Sequence, residues 1–154
     1  IPTIQHSVRE MESRRGHPYD YVVMLQPTTP FRNVEDLSHA LEKLIHCPEA
    51  DGIISIVDVG NWHPVKMKKF EKEWLMDYEN WPIENPPRQS VHSVYIVNGA
   101  IYATKRDVFM QQNTFKGRRC LGYSMPEERS VNIDTEADFY LAEYFCSEKV
   151  DDGE

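Results

Sequence analysis

The stretch SVNIDTEADF, residues 130–139, places an amide and a carboxylate two positions apart, just before a predicted helix. In a strand, residues two apart point to the same face, so Asn132 and Asp134 should project together from an apolar, strand-like step. Ligands of α/β folds bind where strands end. The pair is therefore a candidate metal or substrate site.

The same residues also have a structural interpretation, which this stretch alone favours. Asp134 or Thr135 can cap the helix that follows, because both side chains accept hydrogen bonds from free N–H groups of the first turn. Asp138 lies three positions after Thr135 and approximates the acidic member of a capping box. From these residues alone, either capping or ligand binding explains the pattern.

A second candidate is the loop QPTTPFR, which follows the apolar run YDYVVML at residues 19–25. Two prolines and two threonines cannot continue a central strand, so this loop should sit at a strand end. The amide of Gln26 can both donate to and accept from hydroxyl or carboxylate groups. Arg32 either binds an anion or fastens the loop.

Basic residues form the third candidate. Lys66 and Arg88 together make a plausible anion clamp in an acidic chain, because Arg binds carboxylate or phosphate bidentately and Lys acts as a point charge. The alternative is a solvated face, the usual meaning of a run such as HPVKMKK. No GxGxxG or GxxxxGK loop occurs in the sequence.

Size and composition limit the classes of protein. The 154 residues suit one domain, and a net charge of −8 argues against a general nucleic-acid surface. No apolar run approaches the ~20 residues that span a bilayer. Because Cys47, Cys120 and Cys146 lack metal-ligand or CxxC spacing, we expect reduced thiols, a cytoplasmic protein and no zinc site.

The order of elements predicts an α/β domain. The run at 19–25, a helix capped by Asn33 and the apolar run at 51–59 form a strand–helix–strand unit, which implies a parallel sheet. Asn98-Gly99 between two β-rich halves predicts a type I′ hairpin. From Gly60 to Gln89 the chain holds all three tryptophans and a proline cluster, which indicates a small β-flap or arm, or else a loop packed on its own domain.

Taken together, five blocks of the chain resemble the CMP-sialic acid synthetases, or acylneuraminate cytidylyltransferases. In order they are LQPTTPFR, HPVK, PRQ, NGAIYATKRD and MPEERSVNIDTEADFYLAE, between Tyr21 and Glu143. The resemblance implies a doubly wound, mostly parallel, Rossmann-like nucleotidyltransferase fold over residues 1–154, with a dimerisation arm at about 60–97. It also implies a cytoplasmic homodimer that joins CMP from CTP to a nine-carbon acidic keto-sugar with Mg²⁺, releasing pyrophosphate.

The resemblance assigns roles by position. Gln26 corresponds to a glutamine that contacts the sugar, and Asn98 should lie near the same sugar. Lys66 and Arg88 correspond to basic residues that neutralise substrate anions. Asp134 corresponds to the aspartate that holds the metal against the triphosphate.

Two departures from the family pattern affect these expectations. The chain has no glycine-rich, basic signature near its start, so residues 1–154 look like a carboxyl-terminal part and should be inactive alone. Asn132 stands where the family usually has a second aspartate, which would weaken the metal site. The alternatives are a non-catalytic sugar-binding or dimerisation module, and a cytidylyltransferase for another keto-sugar acid, such as legionaminic or 3-deoxy-octulosonic acid.

Overall fold

The computed structural model describes residues 1–83 and 86–151, with side chains for all of these except Arg88 and residues 148–151. Its helices are α1 (Pro2–Arg15), α2 (Val34–Ile45), α3 (Arg106–Gln112) and α4 (Glu136–Asp151). Its strands are β1 (Tyr21–Met24), β2 (Gly52–Asp58), β3 (Lys68–Glu71), β4 (Trp74–Asp77), β5 (Tyr95–Lys105) and β6 (Cys120–Ser124). The helices and strands expected from the sequence are largely present, and the chain is an α/β protein.

The main sheet is mixed, with strand order β1-β5-β2-β6. Strand β5 is antiparallel to both β1 and β2, and only β2 and β6 pair in parallel. Strands β1 and β2 run in the same direction, as the strand–helix–strand pattern predicted, but β5 lies between them. The doubly wound, mostly parallel arrangement is therefore not confirmed by the described strands.

The expected hairpin at Asn98-Gly99 is wrong. Both residues lie inside the single 11-residue strand β5. Ile54 pairs with Tyr102 and Ile56 with Val97, so residues 98–101 bulge opposite Ser55. Gly99 has a φ of 81°, a left-handed conformation that suits glycine, and it supplies a bulge here rather than a hairpin turn.

Helices cover both faces of the sheet. On one face, α2 packs into a buried cluster that includes Leu44, Ile53 and Ala103. On the other face, Phe109 of α3 is the largest buried residue of a second cluster. Ile4 and Val8 of α1 and Tyr102 of β5 pack against this cluster. Since Ala103 and Tyr102 are neighbours in β5, their side chains point to opposite faces. The layers are helix, sheet and helix.

The stretch after Gly60 contains a sheet of its own. Strands β3 and β4 form an antiparallel pair that is separate from the main sheet, and every residue of both strands is exposed. This agrees with the small β-flap expected from the sequence. The three cysteines are free thiols, and no helix in the described ranges is both long and apolar enough to cross a bilayer.

Candidate substrate and metal site

Asn132 and Asp134 lie on a segment that is not a strand. A 3-10 helix (Glu127–Arg129) precedes it, and residues 130–133 run without sheet pairing. The predicted strand-like step is therefore wrong as secondary structure. The predicted juxtaposition is nonetheless confirmed, because Asn132 Nδ2 donates a hydrogen bond to Asp134 Oδ2.

Thr135, and not Asp134, caps helix α4. The amide of Asp138 donates to Thr135 Oγ1 at 3.3 Å, and the amide of Thr135 donates to Asp138 Oδ2 at 2.8 Å. These are the two reciprocal bonds of a capping box. Hydrogen bonds from the Thr135 hydroxyl and from the backbone amides of Thr135 and Asp134 hold the pKa of Asp138 below its usual value. The Asp134 carboxylate, which is exposed, is thus not needed for capping.

One atom beside Asp134 fits a cation. Asn132 Oδ1 is buried and has no hydrogen-bond partner among the described residues. An unpaired buried carbonyl oxygen is costly unless something satisfies it. A carbonyl oxygen and a carboxylate are both ligands of Mg²⁺, which binds proteins through one or two such groups and otherwise keeps substrate oxygens and waters.

The described residues contain no cluster of three or more His, Cys, Asp or Glu side chains that could enclose a metal. Asn132 and Asp134 suit a metal that the substrate would help to hold.

The loop at residues 26–32 is held rigidly beside this segment. Arg32 Nη1 donates to the carbonyl oxygens of Gln26 (2.7 Å) and Thr29 (2.5 Å). The amide of Ile133 donates to the carbonyl of Thr28 at 2.8 Å. Arg32 therefore fastens the loop, and the loop is bonded to the segment that carries Asn132 and Asp134.

Gln26 lies against the β5 bulge. A Cβ added to Gly99 would approach Gln26 Oε1 to 2.3 Å, so the amide oxygen rests directly over the glycine backbone. Any side chain at position 99 would displace Gln26 and strain the positive φ. The glycine at position 99 therefore allows the Gln26 amide to pack here.

Asn98 is buried, with 4% of its surface exposed. Its Oδ1 accepts from the hydroxyl of Ser55 at 2.6 Å and from the amide of Ala100 at 3.2 Å. Its Nδ2 donates to Ser130 Oγ at 2.8 Å and to Met125 Sδ at 3.4 Å. These four bonds use the capacity of the amide, so Asn98 is placed to tie the bulge to residues 125–130.

Replacement of Asn98 by alanine should therefore lower stability. Asn98→Ala leaves the amide of Ala100 and the hydroxyl of Ser55 without their shared acceptor, at a cost of about 1–3 kcal/mol. Urea unfolding of the natural full-length protein would measure this, with the exposed Asn61→Ala as the control of the same chemistry. If the free energy of unfolding were unchanged and the KM for the sugar were raised, Asn98 would instead contact the substrate directly.

A cleft of about 630 Å³ opens beside Asn132. Its polar and apolar walls include Ser130, Asn132, Asp138, Trp62, Ile96 and Leu141. A smaller cavity of about 200 Å³ adjoins it and includes Lys66, and the two share Asp58, Gly60 and Asn61 as lining residues. Lys66 and Asn132 thus lie at neighbouring cavities on one side of the molecule.

The position of Lys66 is set by a histidine. Lys66 ends a short 3-10 helix (Pro64–Lys66), and His63 Nδ1 accepts from the amide of Val65 at 3.1 Å. The neutral ring therefore carries its proton on Nε2, which donates to the carbonyl of His92 at 3.0 Å. The backbone of Arg88 begins another 3-10 helix, but its side chain lies outside the described residues.

The structure thus joins the Gln26 loop to the Asn132–Asp134 segment, places Lys66 at the adjoining cavity and buries Asn98 beneath them. Sequence reasoning missed two groups that build this arrangement: His63, and an ion pair between Asp36 and Arg129. The His-Pro pair just before Lys66 was a signal for the first. No local signal marks the second, whose members lie 93 positions apart.

Comparison with known proteins finds similarity to sugar-acid cytidylyltransferases and to a flagellin modification protein. It is 24% identical over 149 residues to post-translational flagellin modification protein B of Campylobacter coli, covering 97% of this chain and 62% of that protein. It is 29% identical to N-acylneuraminate cytidylyltransferase of Escherichia coli over 80% of this chain and 29% of that protein. It is 28% identical to CMP-N,N'-diacetyllegionaminic acid synthase of Legionella pneumophila over 81% of this chain and 53% of that protein.

The chain therefore spans 29% to 62% of the length of these three relatives. No protein-family model matches the chain. The matches to the two synthase-type relatives cover four fifths of the chain, so they extend well beyond any single motif.

Proposed function

We propose that this chain, a member of the CMP-sialic acid synthetase (N-acylneuraminate cytidylyltransferase) family, takes part in transferring CMP from CTP to a nine-carbon acidic keto-sugar. The reaction would release pyrophosphate. The observation that carries the proposal is the pair of Asn132 and Asp134. Asn132 lines a cleft and has a buried, unpaired amide oxygen, and its amide nitrogen is hydrogen-bonded to the exposed carboxylate of Asp134. Names of relatives that include both neuraminate and legionaminate enzymes support the sugar-acid class.

The chemistry requires charge to be neutralised. When the anomeric hydroxyl of the sugar attacks the α-phosphorus of CTP, negative charge develops on the triphosphate, and fixed positive groups stabilise it. Mg²⁺ held by Asp134 and Asn132 would screen the phosphate oxygens when bound. We assign Lys66, and Arg88 with it, to the anionic groups of the substrates, and Gln26 to the sugar.

The test of this proposal is a gain of metal affinity. Asn132→Asp in the natural full-length protein exchanges a neutral ligand for a carboxylate, so it should lower the Mg²⁺ concentration needed for half-maximal rate. Asn61→Asp, the same change at another residue that lines the cleft, serves as the control. If Asn132→Asp left the Mg²⁺ requirement unchanged, Asn132 would not be a metal ligand.

We further propose that the β3–β4 hairpin is an arm through which two copies of the protein associate. Its side chains include Phe70 and Trp74, which are 76% and 74% exposed, and nearby Trp62 is 80% exposed. Exposed aromatics at this density suit a buried two-fold interface. The residues of the adjoining cleft would then lie close to that interface.

Sedimentation of the natural full-length protein at micromolar concentration should accordingly give a dimer. Phe70→Glu with Trp74→Glu should give a monomer with an unchanged circular dichroism spectrum, because charges cannot be buried unpaired in such an interface. The control is Val34→Glu, an apolar residue on α2 that is 80% exposed outside the arm. A monomeric unsubstituted protein, or a dimer that survives both changes, would contradict the arm.

A further inference from the structure

Asp36 is an unusual carboxylate in this molecule because it is almost fully buried, with 1% of its surface exposed. Arg129 donates two hydrogen bonds to this carboxylate, from Nε to Oδ2 at 3.0 Å and from Nη2 to Oδ1 at 3.0 Å. The hydroxyl of Tyr123 donates to Oδ1 at 3.2 Å, and the amide of Asn33 donates to Oδ2 at 3.1 Å. Both oxygens therefore have two partners each.

These four bonds join three parts of the fold, two of which lead directly into the candidate site. Asn33 caps helix α2 and directly follows the loop at residues 26–32. Tyr123 lies in β6, and Arg129 ends the 3-10 helix that leads into residues 130–134. One carboxylate thus anchors the loop that carries Gln26 and the segment that carries Asn132 and Asp134.

The bonds outweigh the effect of burial. Burial would raise the pKa of Asp36, but hydrogen bonds from Arg129 and from the Asn33 amide hold that pKa below its usual value. The carboxylate is therefore charged at neutral pH. A buried ion pair is weak evidence for stability, because apolar residues of similar size often serve as well. The bonds of Asp36 to three separate segments point instead to a role in fixing geometry.

We propose that Asp36 and Arg129 are positioning residues for the substrate and metal site. They hold the Asn132–Asp134 segment against the loop at residues 26–32, so that the Asn132 amide and the Asp134 carboxylate keep their hydrogen-bonded arrangement. The inference rests on the proposed function for its reaction but concerns the geometry of metal binding, which can be measured by itself.

The chain offers a matched control. Glu12 and Arg106 form a second bidentate pair, with distances of 2.9 and 2.8 Å, that joins α1 to α3. None of the contacts of Glu12 or Arg106 within the described residues involves the loop at 26–32 or the segment at 130–134. Breaking this pair should disturb packing without changing the site.

The experiment compares Asp36→Asn, Arg129→Lys and Glu12→Gln in the natural full-length protein. Mn²⁺ binding measured by electron paramagnetic resonance should weaken about tenfold in the first two, as expected when a group that orients metal ligands is lost. The Mg²⁺ requirement for activity should rise in parallel. Glu12→Gln should leave both unchanged. Arg129→Lys keeps the charge and removes only the bidentate grip, so it remains informative if Asp36→Asn fails to fold.

Two results are decisive. If Asp36→Asn and Arg129→Lys bind Mn²⁺ as tightly as Glu12→Gln does, the pair is only structural and the inference fails, even where the protein makes CMP-sugar. If Mn²⁺ affinity falls in both variants while the unsubstituted protein makes no CMP-sugar, the positioning inference stands and the proposed reaction is wrong.

Discussion

Asp134→Asn should abolish CMP transfer by the natural full-length protein while leaving its fold intact. A metal that screens developing charge supplies several kcal/mol of transition-state stabilisation, which corresponds to a loss of at least about a thousandfold in kcat. The change should not disturb α4, because Thr135 and Asp138 already form its capping box. Steady-state kinetics and circular dichroism would measure the two quantities.

Asp138→Asn is the comparison for stability, four residues along the same chain. It should weaken the cap of α4 and cost about 1 kcal/mol of stability, whereas Asp134→Asn should leave the melting temperature unchanged. The account predicts opposite patterns for the two aspartates. If Asp134→Asn lowered only the melting temperature and kept kcat, the carboxylate would be structural and the metal assignment would be wrong.

Lys66→Ala should lower kcat/KM by roughly ten- to a hundredfold, the effect of losing one charge-assisted hydrogen bond of ~1.5–3 kcal/mol. Lys66 is held at the cavity by the 3-10 helix that His63 caps. The comparison is Lys69→Ala in the same basic run, since Lys69 lies on β3 and pairs with Glu71 at 3.3 Å. Its loss should leave catalysis unchanged.

If Lys66→Ala and Lys69→Ala had equal kinetic constants, the basic residues of this run would form a solvated face and would not bind substrate. Arg88→Lys extends the same test to a residue whose side chain lies outside the described part of the chain. If Arg88 binds a substrate anion, replacing its planar fork with a point charge should lower kcat/KM more than a surface change would.

Local sequence was sufficient where one short-range rule governs the outcome. Asn33 and Asp36 form the capping box of α2, and Thr135 caps α4, as side-chain preferences at helix starts indicate. The alternation of Asn132 with Asp134 correctly placed their side chains together, although the backbone there is not a strand.

The sequence did not predict the features that depend on contacts between residues far apart in the chain. Asn98-Gly99 suits a hairpin locally, but Ser55 on the neighbouring strand bonds Asn98 and stabilises a bulge inside a continuous β5. The same strand separates β1 from β2 and makes the sheet mixed. Asp36 has one partner three residues away and another 93 residues away, and only the first leaves a local pattern.

The most direct test of the proposed function is detection of the reaction product. The natural full-length protein would be incubated with CTP, Mg²⁺ and either N-acetylneuraminate or legionaminate, and the mixture followed by mass spectrometry and pyrophosphate release. The account predicts a CMP-sugar of the corresponding mass, formed only when both CTP and an acidic keto-sugar are present. Sugar binding without any pyrophosphate release would contradict it and would make the protein a sugar-binding module.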